Sequence, residues 1–80
     1  MASYRVIELQ TTKEGIDAQA ITAYETKDAA LMAYHQALAS CYASQSLQAF
    51  AVEVVNFHGG VEACEYHEAP APEPNEAEEG

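Results

Sequence analysis

The apolar and polar positions of this chain fall into two strand-like pairs separated by one helical stripe. The clearest pair runs from Phe50 to Tyr66, Phe-Ala-Val-Glu-Val-Val-Asn-Phe-His-Gly-Gly-Val-Glu-Ala-Cys-Glu-Tyr. It reads as a β-hairpin in which both faces carry apolar side chains. A three-residue loop, His58-Gly59-Gly60, with a glycine in the left-handed position, pairs Phe57 with Val61, Val55 with Ala63 and Val54 with Cys64. One face then holds Phe50, Val52, Val54, Cys64 and Tyr66. The other holds Val55, Phe57, Val61 and Ala63, with Glu53, Glu65 and His67. A two-residue Gly-Gly loop mixes Glu53 and Glu62 into the apolar set and gives a poorer core. A hairpin in a small domain normally hides one face and wets the other. Here both faces call for cover.

The N-terminal half supplies a second hairpin and a helix. Tyr4–Gln10 is rich in β-forming residues, and Thr11-Thr12-Lys13-Glu14-Gly15 has the chemistry of a turn. Ala18–Tyr24 follows as a weaker strand, because alanine fits a pleated surface poorly. Thr26 has the chemistry of an N-cap, and Asp28 in the first turn complements the helix dipole. From Asp28 to about Ala43, Leu31, Tyr34, Leu38 and Cys41 recur at spacings of three and four, flanked by His35 and Tyr42. The element order is therefore ββαββ. Antiparallel neighbours predominate in such sheets, which favours strand order 2-1-3-4 with the helix on one face, a two-layer α+β domain.

One helix covers one face. The uncovered face is expected to gather Tyr4, Val6, Val55, Phe57, Val61 and Ala63, while Ile7 and Leu9 point the other way. Six such residues make a large patch for a monomer, so a homodimer stacked through this face, or an unknown protein partner, is expected. A rival geometry uses the second strand as an edge, since Gln19–Tyr24 carries no charge to discourage pairing with a copy of itself. The fourth strand, with Glu62, Glu65 and Glu68, reads as protected.

Composition narrows the partners. Of 80 residues, thirteen are acidic and three basic, for a formal net charge of −10. The bases are Arg5, Lys13 and Lys27. A surface so acidic repels phosphate backbones and anionic headgroups, so direct binding to nucleic acid or membrane is not expected. Residues 29–52 lack charge, yet His35, Gln36, Ser40, Ser44, Gln45, Ser46 and Gln48 make that window too polar for a membrane span. Two cysteines do not make a disulfide scaffold, and the N-terminus has no secretory pattern. A cytoplasmic protein with reduced thiols is expected. Residues 1–68 form one domain. The stretch 69–80, Ala-Pro-Ala-Pro-Glu-Pro-Asn-Glu-Ala-Glu-Glu-Gly, is too poor in apolar residues to order and reads as a solubilising acidic tail.

Candidate chemistry is sparse. Cys64 and His67 form a C-x-x-H pair, but three apart on a strand they point to opposite faces. His35 and Cys41 are poorly aligned on a helix, so no convergent metal-ligand set exists. Ser40-Cys41 lies in mid-helix without the strained turn that exposes a nucleophile. Cys41 and Cys64 read as core thiols, and His58 as a turn residue. No catalytic residue, cofactor or metal is expected, and the chain reads as a non-catalytic structural or accessory interaction protein.

The run Asp28-Ala29-Ala30-Leu31-Met32-Ala33-Tyr34-His35-Gln36-Ala37-Leu38-Ala39-Ser40, then Ala51–Asn56 and His58-Gly59-Gly60, resembles small uncharacterised proteins encoded by bacteriophages and prophages of Gram-positive bacteria. Tyr34-His35, Ser44, Ser46 and Glu65-Tyr66-His67 occupy the matching places, and the likeness spans residues 4–67. The resemblance implies a phage setting and transfers no catalytic residue. It leaves two alternatives to an interaction protein. One is an acidic nucleic-acid mimic that inhibits a host protein, and the other is a small enzyme built on Cys41 with His35 or His67.

Overall fold

Two hairpins with the same loop geometry bracket a single helix. The structure, a computed structural model, describes residues 2–69. Strand β1 (Tyr4–Thr12) turns into β2 (Asp17–Tyr24), helix α1 (Lys27–Ala43) crosses the sheet, and β3 (Leu47–Asn56) turns into β4 (Val61–Glu68). All neighbours are antiparallel and the sheet order is β2-β1-β3-β4, the expected two-layer α+β arrangement.

Each loop has three residues and ends in a glycine with positive φ. In the first, Thr12 N donates to Ile16 O and Gly15 N to Thr12 O, with Gly15 at φ 90°. In the second, Asn56 N donates to Gly60 O and Gly59 N to Asn56 O, with Gly59 at φ 89°. Only glycine takes that conformation at little cost. The second loop is therefore Phe57-His58-Gly59, one residue earlier than the sequence pattern suggests. The cause is Asn56, whose Oδ1 accepts from both His58 N and Gly60 N at 2.9 Å and starts the turn itself.

The register changes again one step into the hairpin. Val55 lies opposite Val61 but Val54 lies opposite Ala63, so Glu62 is an extra residue in β4. A bulge of one residue moves every later side chain to the other face. Ala63, Glu65 and His67 consequently share the helix side with Val54, Val52 and Phe50, while Cys64 and Tyr66 turn away from it. Glu62 itself accepts from Asn56 Nδ2 and lies 3.2 Å from Lys27 Nζ at the start of α1.

The core lies between α1 and the inner strands. It comprises Val6, Ala30, Tyr34, Leu38, Cys41, Phe50, Val52 and Val54. The helix presents Ala30, Tyr34, Leu38 and Cys41, and Leu31 is only partly buried at the flank. It packs mainly on β3 and β1. Thr26 caps the helix as its pattern indicates, the hydroxyl accepting from Ala29 N at 3.1 Å. Ser44 N closes the far end on the carbonyls of Ser40 and Cys41. Thr26→Ala should lower stability by about 1 kcal/mol, read as a shift in the urea midpoint, whereas Thr26→Asp should leave that midpoint nearly unchanged.

Among the described residues no helix is long and apolar enough to cross a membrane. Of the acidic tail, only Ala69 is described; its N–H donates to Gln48 O and its carbonyl accepts from Gln48 Nε2. Residues 70–80 lie outside the description.

Candidate interaction surface

Alternation along each strand sorts the sheet into two faces. The helix side carries Tyr4, Val6, Glu8 and Gln10 of β1, because Val6 pairs with Val54 and Gln10 with Phe50. This corrects the expected patch. Val6 is 2% exposed in the core, and Tyr4 and Ala63 pack against that core from its margin. Phe57 is in the hairpin loop beyond β3 and projects into solvent. Of the six residues expected on the uncovered face, Val55 and Val61 lie there, opposite each other.

The open face is apolar nonetheless, with a different membership. Ile7 and Leu9 lie on it from β1, Ile21 from β2, Ala49, Ala51 and Val55 from β3, and Val61, Cys64 and Tyr66 from β4. Leu9 is 42% exposed and Tyr66 63%. Arg5 and Glu53 are the charged groups among the central-strand residues of this face. The small side chains of Ala49 and Ala51 leave a shallow groove of about 590 Å³ walled by Leu9, Gln19 and Tyr66. Tyr66 Oη donates to Glu68 Oε1 at 2.8 Å, and that bond to a carboxylate raises its pKa above the ordinary phenol value.

The helix side of β4 is closed by an aromatic cluster. Tyr42 donates to Glu65 and packs edge-on to Phe50 with centroids 4.9 Å apart. His67 packs on both rings, at 5.1 Å from Tyr42 and 5.4 Å from Phe50. The Glu65 bond, helped by partial loss of solvent, pushes the Tyr42 pKa up. Tyr34 is also pushed up, by burial first and then by the nearby Glu65 charge. Neutral phenols are the form that this packing favours.

The groups weighed for chemistry do not converge. Cys41 is buried and accepts from Gln10 Nε2 at 3.4 Å, and burial pushes its thiol up despite that bond. A thiol so placed is a poor nucleophile. Cys64, expected in the core, is exposed on the open face because the bulge turns it outward. His35 stacks edge-on with Tyr34 at 5.1 Å and His67 belongs to the aromatic cluster. Among the described residues, no group of three or more His, Cys, Asp or Glu is placed to hold a metal ion.

The outer strand β2 is the second notable surface. Its residues from Asp17 to Ala23 are exposed on both faces, since the helix sits over β1 and β3. Its sequence pattern flagged an uncharged edge, and the sheet order places it at one. No protein-family model, curated protein or solved structure matches the chain.

Proposed function

We propose that this protein is a non-catalytic interaction protein of the cytoplasm that self-associates by stacking its open sheet face on that of a second copy. The observation that carries the reading is the run of apolar side chains across all four strands of that face, from Ile21 through Ile7 and Leu9 to Val55, Val61 and Tyr66. Four strands of eight residues make a face of about 500 Å² before side-chain relief. That area includes Arg5 and Glu53 as well as the apolar residues, and two copies stacked would bury about 1,000 Å² between them, the lower limit for a specific contact. Large residues alternate with Ala49 and Ala51, so a projecting Tyr66 on one copy suits the groove of the other. A phage setting, as the sequence resemblance implies, is compatible with a small accessory protein of this kind. A nucleic-acid mimic is less well supported, because among the described residues Glu8 and Glu65 lie on the helix side and Glu53 on the open side, which divides these acids between two faces.

Cys64 reports on this contact directly. It sits on the open face beside Glu53, so stacking hides it and dilution uncovers it. Its reaction with a thiol reagent should slow at least tenfold from low- to high-micromolar protein, while Cys41 stays unreactive until the chain unfolds. Leu9→Glu should abolish the concentration dependence and lower the mass seen by light scattering. Fast labelling of Cys64 at every concentration, with an unchanged mass for Leu9→Glu, rules out face stacking. Fast labelling of Cys41 in the native state would revive the thiol-enzyme alternative.

A further inference from the structure

We infer that the bare β2 edge, with the Glu8 carboxylate behind it, is the docking site for an extended segment of a different protein that carries Lys or Arg at alternate positions. The site uses the strand edge and the helix side of the sheet, so it is available whether or not two open faces stack.

The two edges of the sheet differ. At β4 stand Glu62, Glu65 and Glu68 together with a bulge, the devices that keep strangers off an edge. From Ala18 to Tyr24, β2 has no charge, no proline and no irregularity in its pairing. Its ladder starts with Thr12 N donating to Ile16 O. Residues in step with Ile16 therefore turn their peptide groups toward β1, and Gln19, Ile21 and Ala23 turn theirs outward. Those outward groups match the backbone of an added strand.

Side chains behind the edge select which strand. On the helix side β2 shows Ala18 and Ala20, opposite Gln10 and Glu8 of β1. Two alanines give little cover, and they leave a small cavity of about 130 Å³ lined by Glu8, Gln10, Ala18, Gln19 and Ala20. Glu8 is half-buried there, with Ala20 on one neighbouring strand and the fully buried Val52 on the other. Among the described residues its carboxylate has no hydrogen bond and no ion pair. A cation stabilises a half-buried carboxylate left without a partner. The chain's own three bases are placed elsewhere: Lys27 pairs with Glu62, Arg5 lies on the open face opposite Ala23, and Lys13 is in the first loop. An added strand lies about 10 Å from β1, a gap that a Lys or Arg reaching across Ala20 and the Glu8 side chain close between them. Charge complementarity extends beyond this cavity. A chain of net charge −10 draws in a basic segment and repels an acidic one, its own copy included.

A labelled peptide of about eight residues, alternating Thr and Lys, tests the site when titrated into the whole chain and followed by fluorescence anisotropy. It should bind once per chain, and the same peptide with Glu in place of Lys should not bind; no binding of the Lys peptide overturns the proposal. Glu8→Gln keeps the shape of the side chain and should weaken binding about tenfold. Glu53→Gln removes the same charge from the open face and should change binding less than about twofold. Equal loss for the two variants, or none for either, overturns the Glu8 site. Methylating the peptide's backbone nitrogens tests strand addition without altering the protein. Methylated Thr nitrogens should abolish binding and methylated Lys nitrogens should spare it, the pattern of an antiparallel strand whose Lys side chains lie on the helix side. The reverse pattern supports a parallel strand on the same edge, and loss with both or with neither overturns edge pairing. Leu9→Glu, which breaks open-face stacking, should bind the peptide at least as tightly as the wild type. Loss of binding there would place the peptide on the open face and overturn the edge site, whatever the fate of stacking.

Discussion

Phe50→Ala should cost about 3–5 kcal/mol, the range for emptying a buried phenylalanine site. Phe50 is 4% exposed and supports two layers at once. Beneath the helix it lies beside Gln10, and on its flank Tyr42 and His67 lean on its ring. Removing the ring leaves a cavity and also frees the Tyr42 hydroxyl from the position in which it meets Glu65. A domain of this size has roughly 4–12 kcal/mol in total, so the variant should lose about a quarter or more of its stability. At about 4–8 °C per kcal/mol, the melting midpoint should fall by more than 12 °C. Circular dichroism against temperature checks this. A fall below 5 °C would mean that the cluster over β3 and β4 rearranges to fill the space.

Val54→Asp should unfold the chain at neutral pH and partly spare it in acid. Val54 is fully buried, opposite Val6 on one side and Ala63 on the other, and a carboxylate there has no partner. An uncompensated buried charge costs about 3–5 kcal/mol. Burial raises the folded-state pKa of the new carboxyl above its unfolded value, which is near 4. Stability is then retained below the unfolded pKa and lost as pH rises through the folded one. The wild-type contribution of Glu62 has the opposite sign. Its hydrogen bond from Asn56 and its pairing with Lys27 lower its pKa, so that stabilisation exists above the unfolded pKa and disappears as pH falls through the folded value. Urea titrations of Val54→Asp and Val54→Asn at several pH values separate these effects. The Asn variant should lack the rise in stability toward acid, and an Asp variant equally unstable at every pH would show that its carboxyl is not desolvated.

Local chemistry made much of the fold readable. Thr26, Asp28 and the Leu-Tyr-Leu-Cys stripe mark the helix, and its ends follow within a residue. The strand order follows from direction alone. What sequence periodicity did not disclose is facing. Both β1 and β3 are apolar on both sides, so Tyr4 and Val6 compete with Ile7 and Leu9 for the core on equal terms. The winner is decided by the register of β1 on β3, which no turn connects and no local residue fixes. In β4 the bulge at Glu62 reverses the faces of Ala63, Cys64 and Tyr66. A sequence signal for the loop did exist in Asn56, which precedes the turn and caps it with its own side chain. Nothing comparable announces the bulge. The candidate surface was thus legible as a property, an apolar uncovered face, but only Val55 and Val61 among its expected members were legible by name.

The unequal edges give the domain a valence. A sheet with two bare edges adds copies without end, as a divalent monomer makes a chain. One bare edge makes a monovalent unit, and its growth stops once that edge is filled. In any sheet joined through β2, the acids and the bulge of β4 would be the outer boundary, and no further strand would find an edge to extend.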